Sequence, residues 1–426
     1  MADPTLTDAR TSAVGPLPVP SPRGGPGAAA ALRSARGSGD GARQPSRDEA
    51  DASAGHHWDA RRAVAPVLGV SALNTLVHLL VLTAMLPPGW SLRDRLLSWD
   101  AALYRDIATE GYPLGLSYGD DGEPTGNNLA FFPLYPLLIR AVHGLTGLDA
   151  GGVAVAVAQL SLLGALFAVH ALLTRLYGPR TALAGIVLVA GAQPMAVTFL
   201  MGYSESLFLA LAAGALLAAH REAWAAAGVL GLLAGLTRPA AFAVAVALAV
   251  AAVLAMRRGG FSWRPVGAVA LACTGTPAYL LWVGWRSGQL NAWFVIQEAG
   301  WGTRWDNGAA FFSFLAHTWE HADGWVPVST AVLLLAAVGA TAVAWRRGTW
   351  PPLLVYGTVM VVLTLAQSNY YHSKLRLLVP ALVFLLPFAV ALGRARTRTA
   401  VAVLAAATLF GSWYGAHMLT VWRYAI

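Results

Sequence analysis

Residues 63–86 read AVAPVLGVSALNTLVHLLVLTAML, a run without one Asp, Glu, Lys or Arg. About 20 apolar residues of helix cross the ~30 Å hydrocarbon layer of a bilayer, so this stretch is long enough to span it. Ten further apolar runs follow, at roughly 150–173, 181–200, 204–219, 223–237, 239–256, 266–285, 325–345, 351–367, 375–392 and 399–418. The expected architecture is therefore an all-α polytopic membrane protein with about eleven transmembrane helices. Arg238-Pro239 separates the fifth run from the sixth, and that pair reads equally as one broken helix.

Composition points the same way. Of 426 residues, 57% are hydrophobic and 12% charged, about half the ~25% charged content of soluble domains. No water-soluble fold hides that much apolar surface. A single cysteine, Cys273, excludes a disulfide framework and a cysteine-based zinc cluster. The net charge of +8 rests on 28 Arg and one Lys, Lys374. Alongside so much Ala and Gly, that bias reflects coding composition rather than a basic recognition surface, and no nucleic-acid partner is expected.

Residues 1–60 differ from the rest. Their large apolar side chains are Met1, Leu6, Val14, Leu17, Val19, Leu32 and Trp58, scattered among Pro, Gly, Ala, Ser, Arg and Asp. Such a segment buries too little area to offset its ordering entropy, so a disordered cytoplasmic tail is expected at 1–60 and a membrane domain at 61–426. The tail lacks an early apolar run of the signal-peptide kind and is expected to be retained.

Charge gives an orientation. With Arg61 and Arg62 cytoplasmic and sides alternating, the inner connections hold 13 cations against one acid, Glu222, while the outer ones hold 10 cations and 13 acids. Nearly every inner turn carries Arg, as the positive-inside rule requires, and these cations face anionic headgroups. The expectation is a multi-pass plasma-membrane protein with a cytoplasmic N-terminus. Two outer loops, about 87–149 and 286–324, are too long to be simple connectors.

The polar residues without a ready structural reason lie on that outer side. Asp100 stands in Ser98-Trp99-Asp100-Ala101-Ala102-Leu103-Tyr104, where Trp99, Leu103 and Ile107 recur at helical spacing and predict a short amphipathic helix on the membrane surface. An acid in a first turn also serves the helix dipole, which is the plainer role. Glu205, in Tyr203-Ser204-Glu205-Ser206, sits at the outer end of a span, where a carboxylate is costly and commonly functional; capping is its alternative. Arg238 suits an anionic group at a helix break, or snorkels to lipid phosphate. In Tyr370-Tyr371-His372-Ser373-Lys374-Leu375-Arg376, the side chains of His372, Lys374 and Arg376 form a cluster that no other outer helix end matches; ordinary flanking charge is the alternative. Together these residues describe one compartment suited to a lipid-linked phosphate: arginine neutralises the phosphate and a carboxylate deprotonates an incoming hydroxyl.

Four blocks occur in order: Trp99-Asp100-Ala101-Ala102-Leu103-Tyr104 with Gly111-Tyr112; Phe131-Phe132-Pro133-Leu134-Tyr135-Pro136; Tyr203-Ser204-Glu205-Ser206-Leu207-Phe208; and Gly235-Leu236-Thr237-Arg238-Pro239. Over about 60–420 the chain resembles the PIG-V-like mannosyltransferases of the GT-C membrane glycosyltransferase superfamily. The resemblance implies a GT-C-like bundle whose long first extracytoplasmic loop carries short amphipathic helices. It also implies a polyprenyl-phosphate-mannose donor, a glycolipid or glycan acceptor outside the cytoplasm, and inverting transfer. By the same resemblance Asp100 matches the first-loop general base, and Arg238 and Arg376 match cations near the lipid phosphate; Glu205 is the second catalytic candidate. Tyr104, Arg238, His372, Lys374 and Arg376 are the substrate-binding candidates.

An inverting displacement needs one base and a stabilised leaving group, so Glu205 could orient the acceptor, hold a divalent ion or brace the loop. There is no Asp-x-Asp in the first outer loop, and Asp120-Asp121 reads as a solvated turn. No oxygen-ligand cage is legible, so no metal is assigned. The competing class is a transporter or flippase of a polyprenyl-linked sugar, which predicts internal repeats and polar groups near the membrane midplane. The halves show no clear repeat, and the candidates cluster at one face.

Overall fold

The computed structural model describes residues 60–321, 324–347 and 350–426, so the expected N-terminal tail falls outside the described residues. The first apolar run forms α1 (Ala60–Ala84). It turns Leu73, Leu76 and Leu80 outward and buries Asn74 and His78. That is the reverse of a soluble amphipathic helix and suits a lipid-facing surface.

The first long loop is built rather than loose. It contains α2 (Leu92–Leu96), α3 (Asp100–Glu110), a small hairpin of β1 (Ser117–Tyr118) and β2 (Pro124–Thr125), a 3₁₀ turn at Asn128–Ala130, and α4 (Leu134–Thr146). α3 occupies the predicted place, but its inward face is Ala101, Tyr104, Ile107 and Ala108 rather than the stripe Trp99, Leu103, Ile107. The helix packs on α4 and on the long α5 (Ala150–Tyr177), so small residues take the close face and Trp99 is left half-buried. Asp121 closes the hairpin turn by accepting from the Glu123 amide.

The run expected as a span at 181–200 is not one helix. α6 (Pro179–Val187) passes into a π turn at Leu188–Ala192 and stops, and a 3₁₀ turn follows at Ala196–Phe199. Gln193 precedes Pro194 and is extended, at ψ 137°, as the proline ring demands. α7 (Glu205–His220) and α8 (Trp224–Gly235) are short apolar helices, and α9 (Phe242–Gly259) follows the break at Arg238-Pro239. α10 (Trp263–Ala272) and α11 (Gly275–Ser287) together make one span.

The second long loop carries α12 (Ala292–Trp301), β3 (Arg304–Trp305) and α13 (Ala309–His321). α14 (Trp325–Arg346) and α15 (Pro351–Leu365) return through the bundle to β4 (Gln367–Ser368), which pairs antiparallel with β3. α16 (Lys374–Leu378) and α17 (Leu386–Arg394) belong to a pair bent by 76°, and α18 (Thr397–Thr420) packs against α1.

Among the described residues six helices are long and apolar enough to cross a membrane, seven with the bent pair, and α7, α8, α15 and the α6 region are shorter. Each expected span contains helix, but among the described residues eleven full-length crossings are not present. At 1.5 Å per residue, a twelve-residue helix such as α8 reaches only ~18 Å. Close approach compensates. α8 meets α10 with Gly228 against the Ala268 backbone and the start of α11 with Gly235 against Gly275 and Thr276, where an added Cβ would lie 2.9 Å from Ala268 Cα or from the Thr276 amide nitrogen. Packing of small residues is what joins helices where lipid gives no hydrophobic drive.

The arginine-bearing turns meet one another. Arg180 donates to Thr397, Arg258 lies 3.6 Å from Glu222, and the His220 ring packs edge-on against Trp350.

Candidate active site

α3 begins at Asp100 without a capping side chain. Its N-cap residue is Trp99, held at φ 55°, ψ −122°, a conformation uncommon for a bulky residue and retained only where surroundings enforce it. Asp100 is the first residue inside the helix, and its Oδ2 accepts from Arg376 Nη1 at 2.5 Å. The carboxylate is thus aimed across the fold rather than at its own helix end.

Arg376 arrives from the far end of the chain. α16 is five residues long and ends at a break where Leu382 has φ 62°. The break strands carbonyl groups, and two buried side chains meet them. Gln193 Nε2 donates to the Val379 carbonyl at 3.1 Å, and the Tyr356 hydroxyl donates to the Pro380 carbonyl at 2.9 Å. Arg376 is held there with its guanidinium 5.1 Å above the Tyr203 ring.

Glu205 opens α7 and is 1% exposed. Arg238 Nη1 lies 2.7 Å from its Oε1, and Arg376 Nε lies 3.7 Å from the same oxygen. Neither carboxylate oxygen accepts an aligned hydrogen bond among the described residues, nor does Arg376 Nε donate one, so these contacts are ion pairs by distance alone. Ser204 does not cap α7. Its hydroxyl instead pairs with the Tyr104 hydroxyl at 2.8 Å and accepts from Arg238 Nη1 at 3.4 Å. Burial pushes the Tyr104 phenol well above its ordinary range, so it stays a neutral hydroxyl.

The Phe-Phe-Pro-Leu-Tyr-Pro block supports this arrangement. Phe131 and Tyr135 pack edge-on against the Tyr104 ring, at 5.1 and 5.0 Å between centroids. The Leu134 amide donates to the Leu236 carbonyl, tying the start of α4 to the turn that carries Arg238. Asp100, Tyr104, Glu205, Arg238 and Arg376 therefore share one buried cluster, drawn from four separate parts of the chain.

The other two candidates take different places. Lys374 Nζ donates to the Thr364 and Gln367 carbonyls and to Asn369 Oδ1, at 2.8–3.0 Å. It closes the C-terminal end of α15, where helix carbonyls lack partners. His372 stacks on Tyr370 and Tyr424 and meets Trp422 edge-on. Ser204, Tyr203, Gln193 and Tyr356 were not singled out from the sequence. The first two lay inside a quoted motif, whereas the last two had no local signal. Among the described residues no three of His, Cys, Asp and Glu come together as metal ligands, and each carboxylate of the cluster faces a guanidinium.

The helices and their arrangement define a class: a polytopic α-helical membrane protein with a GT-C-like fold. Its solved likenesses include the ArnT protein of Cupriavidus metallidurans. The undecaprenyl-phosphate-bound form matches at 18% identity with a TM-score of 0.50, over 80% of this chain and 63% of that one. The apo form matches at 16% identity with a TM-score of 0.51, over 84% of this chain and 78% of that one. An oligosaccharyltransferase of Archaeoglobus fulgidus matches at 13% identity and a TM-score of 0.45, over 83% of this chain and 56% of that one. This chain thus spans less than two thirds of one ArnT structure and about three quarters of the other. No family model matches the sequence, and no curated protein does.

Proposed function

We propose that the chain is an inverting glycosyltransferase that moves mannose from a polyprenyl-phosphate donor to a hydroxyl of a glycolipid or glycan, as the resemblance to PIG-V-like mannosyltransferases implies. The observation that carries this reading is the buried meeting of Asp100 and Glu205 with Arg238 and Arg376. Two guanidiniums suit the phosphate of a lipid-linked sugar, and two carboxylates suit the hydroxyl that attacks it. A further support is the fold shared with a protein solved with undecaprenyl phosphate.

In this mechanism Asp100 accepts the proton of the acceptor hydroxyl as its oxygen bonds to the sugar C1. The C1–O bond to phosphate breaks on the opposite face, and the lipid phosphate leaves with the electron pair. Arg238 and Arg376 neutralise the charge that develops on it, the most effective place for fixed cations. Glu205 holds both guanidiniums toward that position. Ser204, itself paired with the Tyr104 hydroxyl, accepts from the same Arg238 Nη1. The arginine-rich connections are assigned to the cytoplasm with the N-terminus, and the cluster to the outer face of the plasma membrane.

Purified protein in nanodiscs, given radiolabelled polyprenyl-phosphate-mannose and a glycolipid acceptor, should release free polyprenyl phosphate and labelled product. The transporter reading has one observation in its favour, the bent α16–α17 pair that carries Arg376. It predicts movement of intact donor across a vesicle membrane with no bond cleavage, and that outcome would replace the transferase reading.

A further inference from the structure

Resting on the transferase reading, we propose that Arg376 changes partners when the donor binds: the lipid phosphate displaces Asp100 from the guanidinium, and the base is released only once the leaving group is in place. The reasoning begins with charge. Without donor the cluster holds two carboxylates and two guanidiniums and is balanced. A phosphodiester brings a third anion to the same two cations. One anion must then go unpaired, and in a buried site that costs most for the group most removed from water. Glu205 is 1% exposed on its side chain and Asp100 18%, so Asp100 is the one to be released.

Geometry supplies the route. Arg376 reaches Asp100 through Nη1 and leaves Nε without a hydrogen bond, 3.7 Å from Glu205 Oε1. A guanidinium has five N–H donors in a fixed fork. A small turn toward Glu205 completes that second contact and presents the Nη groups to phosphate. The Tyr203 ring beneath the guanidinium, at 5.1 Å, supports its plane during the turn without a directional bond to break. While Arg376 Nη1 bonds Asp100 Oδ2, that oxygen is occupied and is not open to the proton of an acceptor hydroxyl. The pairing therefore silences the base until a phosphate takes its place, and water or a stray hydroxyl is not activated in the resting enzyme.

The consequence is measurable as affinity. Full-length protein in nanodiscs is titrated with undecaprenyl phosphate, comparing wild type, Asp100→Asn, Asp100→Ser, Arg376→Ala and the Asp100→Asn/Arg376→Ala pair. Removing a competitor bonded to a charged group should tighten binding of the lipid phosphate roughly tenfold, although both Asp100 variants lose transfer. Arg376→Ala should bind weakly, and adding Asp100→Asn to it should give no further change. Equal or weaker binding by folded Asp100→Asn and Asp100→Ser overturns the exchange, while wild-type transfer would still uphold the transferase reading. No binding and no transfer by wild type would remove both.

Discussion

Arg376 and Asp100, 276 positions apart in sequence, meet at 2.5 Å. The contact fixes which way α3 presents its carboxylate. Asp100 stands in the first turn of α3, where an acid suits the helix dipole, but the N-cap is Trp99 and the carboxylate is bonded to Arg376.

Asp100→Asn should therefore lower transfer by ~10²–10⁴-fold, the usual contribution of a general base, with the fold retained. Asp100→Glu should also be poor, because the added methylene displaces the carboxylate by about a bond length. Glu205→Gln should cost less turnover. Initial rates in the radiolabelled transfer assay decide it. Transfer by Asp100→Asn near the wild-type rate would leave Glu205 as the candidate base.

Arg238→Ala and Arg376→Ala should each weaken donor use. A hydrogen bond between charged groups contributes ~1.5–3 kcal/mol, which corresponds to about tenfold or more in apparent donor affinity. Lys at either position should recover only part, since an ammonium cannot reproduce a planar fork. Unchanged donor dependence in both Ala variants would return these arginines to structural ion pairing with the carboxylates.

Gln193→Leu and Tyr356→Phe should lower stability and donor affinity together. Each leaves a buried carbonyl at the α16–α17 break without its donor, at a cost of ~1–3 kcal/mol. A merely structural role would lower the thermal midpoint alone. The expected signature is a weaker response to donor at a temperature where each variant remains folded, because the break sets where Arg376 stands.

Orientation is tested by single cysteines in a Cys273→Ser background. An impermeant thiol reagent applied to intact cells should label position 120, in the β1–β2 turn, and spare position 260, between α9 and α10. The reverse pattern would place the cluster in the cytoplasm and end the argument for an outer acceptor.

The membrane-spanning, mostly helical character of the chain was legible in the sequence because hydropathy is a local sum. A run such as 63–86 has no soluble alternative, whatever surrounds it. Motif order likewise singled out Asp100, Glu205 and Arg238 as candidates, and the charge cluster before a late span singled out Arg376. Other features were decided elsewhere. Apolar composition does not distinguish a full crossing from α8, which ends at Gly235 ahead of the Arg238-Pro239 break and packs its glycines against α10 and α11. The Trp99, Leu103, Ile107 spacing carries no sign that Tyr104 is buried, because it is drawn in by Phe131, Tyr135 and Ser204, and none of these is near it in sequence. Lys374 and Arg376 stand two residues apart on a bent segment, yet one closes α15 and the other reaches Asp100. Local sequence determined which residues were costly to bury. Only the tertiary fold decided which of them neutralise one another, because an ion pair depends on distance in space and not on separation along the chain.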